Sequence, residues 1–125
     1  MGLKLYTPVN SNDHYLGSLS ALSSVIEYAD FQCPHCAETA PILKKISNYY
    51  GKDLCFVFRS FPVTSIHPLA EFAATVAEAA SQQDHFWEAH DWLFKHAESL
   101  SEKTILEDIQ TLKLDVDRFA QGLQD

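Results

Sequence analysis

The hydrophobic residues of this chain fall into short continuous runs in the first half and into helical spacing in the second. Runs rich in β-branched and aromatic residues at 22–31 and 54–61 predict two buried strands. Between them, apolar residues recur every three or four positions and predict a helix over 34–50, with Gly51 as its C-terminal cap. The predicted inner face of this helix consists of Ala40, Leu43, Ile46 and Tyr50. Strand, helix and strand in this order predict a βαβ unit with parallel strands and a right-handed crossover.

Proline and turn-forming residues shape the segments around this unit. Residues 4–9 are predicted to form a short edge strand, because Pro8 excludes a central position in a sheet. Residues 10–20 are rich in Asn, Ser, Asp and Gly and are predicted to form a loop. Pro41 lies inside the predicted helix, which it is expected to kink.

From residue 66 onwards the pattern is helical. An apolar stripe predicts a helix that starts at Pro68 and ends near residue 81. Asp84, Ser101 and Asp115 are the predicted N-caps of three further helices, which end near residues 96, 112 and 122. This half contains four histidines, and their spacing does not place any two of them on adjacent helical turns where they could bind one ligand. They are therefore expected at the surface or at interfaces: His67, His85, His90 and His96. His90 also belongs to the predicted inner face of the helix that Asp84 caps, together with Phe86, Trp87, Leu93 and Phe94.

Composition and charge narrow the range of partners. The 125 residues are enough for one domain with its own core. A net charge of −8 argues against nucleic acid or an anionic membrane surface as the main partner, since both require a basic patch. No apolar run approaches the roughly 18 residues of a transmembrane helix. The first residues lack the apolar stretch of a signal peptide, so the location is cytoplasmic if this N-terminus is native and periplasmic if a signal peptide was removed.

The candidate chemistry lies at the predicted junction of the first strand and helix, in Cys33-Pro34-His35-Cys36. Pro34 suits the first helical position, where its missing N–H costs nothing. Two cysteines on one helical turn can form a disulfide, and the helix N-terminus favours a thiolate. Cys33 comes first and is the predicted nucleophile, while Cys36 is the predicted resolving thiol that attacks the mixed disulfide. His35 is expected to stabilise the Cys33 thiolate by its charge or by a hydrogen bond.

Two alternatives to redox chemistry are open for this motif. It is also typical of half a zinc site, but zinc requires a second pair of ligands. The third cysteine, Cys55, stands alone in an apolar run and is predicted to be a small core residue. An inert disulfide is the other alternative, but it would close so small a loop that it would stabilise the fold little. The redox interpretation is favoured, and it requires no metal or organic cofactor.

The chain as a whole resembles the DsbA-like branch of the thioredoxin superfamily. The resemblance lies in the stretch from Glu27 through Cys-Pro-His-Cys, and in three later segments: Phe58–Pro62, His67-Pro68 and Phe86–Phe94. It implies an α/β fold, a thioredoxin-like βαβ unit with a helical insertion. Residues 1–65 would be the first part of the thioredoxin-like domain, with the motif, and 66–125 the helical DsbA-type insertion. The implied activity is thiol–disulfide oxidation or exchange on cysteine pairs in polypeptides, together with a redox partner protein.

The resemblance also gives Glu27 a role. In DsbA-like proteins an acidic residue six positions before the first cysteine lies buried beneath the active site and relays the proton of the second cysteine. Here that cysteine is Cys36. A buried carboxyl with a raised pKa suits this role. The alternative is a strand residue that faces solvent.

One departure from the family bears on function. DsbA-like proteins continue after the helices with a cis-proline turn, a β-hairpin and a last helix, whereas no proline follows Pro68 here. A sheet of only two or three strands with an uncovered edge is expected, and such an edge is a template for pairing with another chain. The sequence leaves open a fragment, a truncated gene product or a homodimer formed through that edge. The alternative function is therefore a non-catalytic fragment or a helical protein-interaction module.

Overall fold

Three strands and five helices make up the part of the chain that the structure, a computed structural model, describes, namely residues 7–112 and 114–124. The strands are β1 His14–Gly17, β2 Ser23–Ala29 and β3 Leu54–Ser60. The helices are α1 Pro34–Tyr50, α2 Ala70–Ser81, α3 Phe86–Lys95, α4 Glu102–Asp108 and α5 Val116–Gly122. Short 3-10 turns lie at Gly51–Asp53, Ala97–Ser99 and Ile109–Leu112.

The sheet has the order β1-β3-β2, with β3 in the middle. β2 runs parallel to β3, with pairs from Ser23 opposite Leu54 to Ala29 opposite Ser60. The parallel pairing across α1 confirms the predicted βαβ unit. Five consecutive residues of β3, Leu54–Phe58, are buried. A strand covered on both faces needs such a continuous apolar run rather than an alternating one.

The predicted loop over 10–20 is wrong for His14–Gly17, which forms β1 and pairs antiparallel with β3. Its pairing depends on a distant strand, which local turn-forming residues do not reveal. Gly17 ends β1 with a φ of 89°, and a Cβ there would lie 1.9 Å from the Leu54 carbonyl oxygen, so the position requires glycine. Of the edge strand predicted at 4–9, residues 4–6 lie outside the described residues and 7–9 form no strand.

Arg59 holds the segment that leads into β1. Its Nε and Nη2 donate to the two carboxylate oxygens of Asp13, each at 2.9 Å. Its Nη1 also donates to the Thr7 carbonyl and to the Tyr28 hydroxyl, each at 2.8 Å. These bidentate hydrogen bonds from the Arg59 guanidinium lower the pKa of the Asp13 carboxyl below its usual value.

The core lies between the sheet and the helices that follow it. Phe31 packs against Phe58 and Phe94, with ring centroids 5.1 and 4.8 Å apart. α2 presents small buried side chains that allow close packing against α3, among them Ala73 and Ala77. α1 differs, because within it only Ser47 is buried. Two residues of its predicted inner face are exposed, Ile46 at 39% and Tyr50 at 51%.

The predicted helix ends agree with the structure at α1 and α5 and differ at α2, α3 and α4. α2 begins at Ala70, two residues after the predicted start at Pro68. Ser101 and Asp115 each accept a backbone N–H at the start of α4 and α5. The N-cap of α3 is His85, because Asp84 adopts a φ of 61° in the preceding turn. α4 ends at Asp108 and continues as a 3-10 turn. α1 is one element on both sides of Pro41.

Candidate functional site

The cysteine motif forms the start of α1. Cys33 is the N-cap, with an extended backbone of φ −75° and ψ 121°, and Pro34 follows as the first helical residue. The carbonyl of Cys33 accepts the backbone N–H of Ala37 at 3.0 Å and so begins the helical ladder. Cys33 and Cys36 are both free thiols and half-buried. The structure thus places two reduced cysteines on the first turn of a helix, as the spacing predicts.

Asp30 anchors the turn that carries Cys33. Its carbonyl accepts the Cys33 N–H at 3.0 Å, and its Oδ1 accepts the Gln32 N–H at 2.8 Å. Its Oδ2 accepts the Val63 N–H at 2.9 Å and lies 2.7 Å from His67 Nδ1. Asp30 is only 3% exposed, so these partners offset the cost of burying its carboxylate. The one sequence signal for this role is an acidic residue at the end of an apolar run.

The Cys36 sulfur lies in a setting that favours the protonated thiol. Burial raises its pKa, a hydrogen bond with the Asp30 backbone lowers it, and a hydrogen bond with the Cys33 side chain raises it again. The charges of Cys33 and Glu27 raise it further. The net effect is a pKa above the ordinary thiol value, because a second negative charge in this place would be poorly solvated.

Glu27 lies on β2, opposite Phe58 of β3. Its Oε1 is buried and has no hydrogen-bond partner among the described residues. Burial raises the pKa of this carboxyl above its usual value of 4.5. The carboxyl therefore does not simply face solvent, and its charge acts on Cys36. Its role as a proton relay stays a prediction.

His35 stands apart from the two sulfurs. Its side chain is 93% exposed, and its Nδ1 lies 3.9 Å from Glu38 Oε2 on the next helical turn. Within the described residues the imidazole makes no hydrogen bond to Cys33. Its predicted influence on the Cys33 thiolate would act through charge from the surface.

His90 is buried among the aromatic side chains of the core. His90 Nδ1 pairs with Asp91 Oδ1 at 2.8 Å, and Asp91 in turn accepts from Lys44 at 3.2 Å. His90 Nε2 is buried without a partner among the described residues, and the ring contacts Phe31 and Phe58 edge-on. Burial lowers the pKa of His90 below its usual value. The inner-face position predicted for His90 is confirmed, while the expectation of a surface histidine is wrong here, because α3 turns His90 into the aromatic core.

Two further structural findings concern metal ions and membranes. In the part of the chain that the structure describes, no cluster of three or more His, Cys, Asp or Glu side chains is placed to hold a metal ion. Over the same residues, no helix has the length and apolarity needed to cross a bilayer.

Comparison with curated proteins gives relatives that are much longer than this chain. It is 40% identical over 124 residues to Na(+)/H(+) antiporter NhaA 3 of Salinispora tropica, a match that covers 98% of this chain and 19% of the antiporter. It is 34% identical over 125 residues to Na(+)/H(+) antiporter NhaA 1 of Mycolicibacterium gilvum, again over 20% of that protein. The chain thus spans about a fifth of the length of these relatives.

Solved structures and a family model identify the fold. The thiol-disulfide exchange protein α-DsbA2 of Wolbachia pipientis superposes with a TM-score of 0.82 at 20% identity, over 93% of this chain and 61% of that one. α-DsbA1 of the same organism gives 0.78 at 26% identity, over 96% and 63%. The thioredoxin family model matches residues 9–125. This chain belongs to the thioredoxin family, as a DsbA-like domain.

Proposed function

We propose that this domain oxidises or exchanges cysteine pairs in polypeptides through a Cys33–Cys36 disulfide. The observation that carries the proposal is the unequal setting of the two sulfurs on one helical turn. Cys33 stands at the N-cap, while burial raises the pKa of Cys36 one turn deeper. In such a pair one sulfur reacts with the substrate, and the other resolves the mixed disulfide that forms.

In the proposed oxidation, a substrate thiolate attacks Cys33 Sγ of the oxidised domain. The Cys33–Cys36 bond breaks, a mixed disulfide forms, and Cys36 leaves as a thiolate that takes up a proton. The second substrate thiolate then attacks the substrate sulfur of the mixed disulfide and releases Cys33 as a thiolate. The substrate loses two electrons to the cysteine pair, and a redox partner protein that accepts two electrons restores the disulfide.

Glu27 is proposed to supply the proton that Cys36 takes up. Its raised pKa keeps a proton available at higher pH than an ordinary carboxyl does, and its charge acts on Cys36. Pro34 is proposed to fix the first turn, and His35 to favour the Cys33 thiolate through its charge. Residues 1–65 would carry this chemistry, and residues 66–125 would form the helical segment beside it.

Catalysed refolding tests this function. A reduced, unfolded protein with several cysteines is refolded with glutathione disulfide and a catalytic amount of the domain. We expect the domain to speed the recovery of native disulfides, Cys33→Ser to abolish the effect, and Cys55→Ala, a matched change at the buried cysteine, to retain it. Equal activity of the Cys33→Ser variant and the wild type would contradict the proposed role of Cys33.

The edge of the sheet supports a second candidate function, that of an interaction module. β2 is an edge strand with exposed apolar side chains, Val25 at 37% and Tyr28 at 53%. We propose a second copy of the chain as the partner at this edge. Sedimentation of wild type and of Tyr28→Lys distinguishes the candidates. A wild-type dimer that Tyr28→Lys dissociates, combined with no effect of Cys33→Ser on refolding, would favour the module.

A further inference from the structure

The segment between β3 and α2, residues 61–69, contains turns but neither helix nor strand, and we call it the 61–69 loop. Inside it, the Val63 carbonyl accepts the backbone N–H groups of Ile66 and His67, at 3.1 and 2.9 Å. These two bonds close a turn within the loop. They fix the shape of the loop, so its position on the domain depends on contacts with residues outside it.

Asp30 and Gln32, which come just before the first cysteine of the motif, make such contacts through their side chains. Asp30 Oδ2 accepts the Val63 N–H at 2.9 Å and lies 2.7 Å from His67 Nδ1. Gln32 Oε1 accepts the Leu69 N–H at 2.8 Å. These three hydrogen bonds join the 61–69 loop to the turn that carries the motif.

His67 meets a carboxylate that is shielded from water. The Asp30 side chain is 4% exposed and that of His67 18%. A carboxylate oxygen can only accept, so Nδ1 of His67 carries the proton and donates to Asp30. This donor offsets the negative charge of Asp30 in a place where water screens it little. The sign of the effect is the same for a neutral and for a positively charged imidazole.

Asp30 in turn contacts both cysteines of the motif. Its carbonyl accepts the Cys33 N–H at 3.0 Å, and its backbone hydrogen-bonds with Cys36. The reduced pair can carry negative charge on Cys33, which the helix N-terminus stabilises, whereas the disulfide carries none. A donor that offsets the charge of Asp30 and fixes this turn therefore stabilises the reduced pair more than the disulfide.

We propose that His67 is a positioning residue that stabilises the reduced Cys33–Cys36 pair through Asp30, and so makes the disulfide a stronger oxidant. His67 acts by donating its Nδ1 proton to the buried carboxylate and has no contact with the substrate in this role. The proposal rests on the function proposed above, since it takes the Cys33–Cys36 disulfide as the redox group. It assigns part of the oxidising strength of this pair to a side chain in a distant loop.

Equilibration with glutathione tests the proposal. Two glutathione thiols reduce the Cys33–Cys36 disulfide, which takes up two electrons and two protons, and glutathione disulfide forms. His67→Leu has no donor, whereas the side-chain nitrogen of His67→Asn can take the place of Nδ1. His85→Leu is the matched control, because His85 also pairs with a carboxylate, that of Glu88 at 3.2 Å, but lies at the start of α3.

We expect His67→Leu to shift this equilibrium about fivefold toward the disulfide, and His67→Asn and His85→Leu to stay within about twofold of wild type. Urea unfolding of the same variants separates a loss of stability from a change in the equilibrium. If His67→Leu does not fold, His67→Gln, whose amide lies one carbon atom further out, replaces it with the same expectation.

No shift in the variant that lacks the donor, or an equal shift in His67→Asn, would overturn the proposal. A loss of stability without a shift in the equilibrium would show that His67 supports only the fold, and would overturn it as well. If the wild-type pair formed no disulfide with glutathione, the proposed function itself would fail, and the role of His67 with it.

A variant at Gln32 separates the His67–Asp30 pair from the order of the loop as a whole. Gln32→Leu removes the hydrogen bond to Leu69 and leaves the His67–Asp30 pair in place. We expect it to shift the glutathione equilibrium by less than about twofold. A shift as large as that of His67→Leu would assign the effect to the loop as a whole, and would overturn the specific role of His67.

Discussion

The two sides of the cysteine motif differ in burial. On one side lies a buried region, made of Phe31, Phe58, Leu93 and their neighbours, where β3 meets the helices. On the other lies an open region, made of the outer faces of β2 and α1, where Tyr28 is 53% and Tyr49 82% exposed. The turn that carries Cys33 is thus fixed from the buried region through Asp30 and Phe31, and the other side of it is open. The proposed role of Cys33 as a nucleophile that meets polypeptides would need both properties.

The largest expected effect is the difference in unfolding free energy between a substitution in the buried region and one in the open region. Phe58 is 1% exposed and packs against Phe31 and Phe94, so Phe58→Ala should lower the free energy of unfolding by about 3–5 kcal/mol. Tyr49→Ala removes an aromatic side chain from the open region and should change it by less than about 0.5 kcal/mol. Urea unfolding of the two variants measures the difference. Similar losses would show that α1 is covered in solution.

The next effect tests the anchor of the motif. Asp30→Ala leaves the N–H groups of Gln32 and Val63 without their acceptor, and should cost about 2–3 kcal/mol in urea unfolding. Because the Cys33 turn loses its support, the selectivity of alkylation for Cys33 over Cys36 should also fall. Asp53→Ala, at an exposed position, is the control. Unchanged stability and selectivity in Asp30→Ala would contradict the anchoring role.

Local patterns suffice to predict the elements that local chemistry decides. The apolar run of β3, Pro34 at the helix start and Gly51 at its end predict strand and helix bounds that agree with the structure. The caps at Ser101 and Asp115 are local hydrogen bonds, and they too were predictable. The position of Cys33 and Cys36 at the start of α1 follows from the same signals.

Features that depend on distant residues escape such patterns. β1 forms because His14–Gly17 pairs with β3, about forty residues away, and the turn-forming residues on both sides of it hide this short strand. The bonds of Asp30 to Val63 and His67 bridge two loops. The inward face predicted for α1 is wrong at Ile46, since amphipathic spacing shows which face is apolar and not whether anything covers it.

A smaller effect tests the buried carboxyl at the boundary of the two regions. The folded domain binds a proton on Glu27 more tightly than the unfolded chain, so stability falls as the pH rises above 4.5 toward the raised pKa. Glu27→Gln removes this loss, so its stability relative to wild type should rise between pH 4 and pH 8 in urea unfolding. The exposed Glu38→Gln should show no such gain. If the difference in unfolding free energy between wild type and Glu27→Gln stayed constant across this range, burial would not disfavour the ionised form of Glu27.

The smallest effect concerns the buried histidine. Burial lowers the pKa of His90, so the unfolded chain takes up its proton first as the pH falls below 6.5, and the fold loses stability. The hydrogen bond with Asp91 and the charge of Asp91 oppose the effect, while the charges of Lys44 and His14 reinforce it, and a net loss of stability remains. In His90→Leu, unfolding free energies at pH 7 and 5.5 should differ less than in wild type. If wild type and His90→Leu showed the same pH dependence of stability, titrating groups other than His90 would be its cause.

Trapping the mixed disulfide tests the central claim most directly. In Cys36→Ala the resolving sulfur is absent, so reaction with a peptide disulfide should leave a stable peptide adduct on Cys33, which mass spectrometry of a digest would locate. In Cys33→Ala the half-buried Cys36 should form the adduct at least about tenfold more slowly. Equal rates for the two variants, or an adduct on Cys55 instead, would contradict the assignment of Cys33 as the sulfur that meets the substrate.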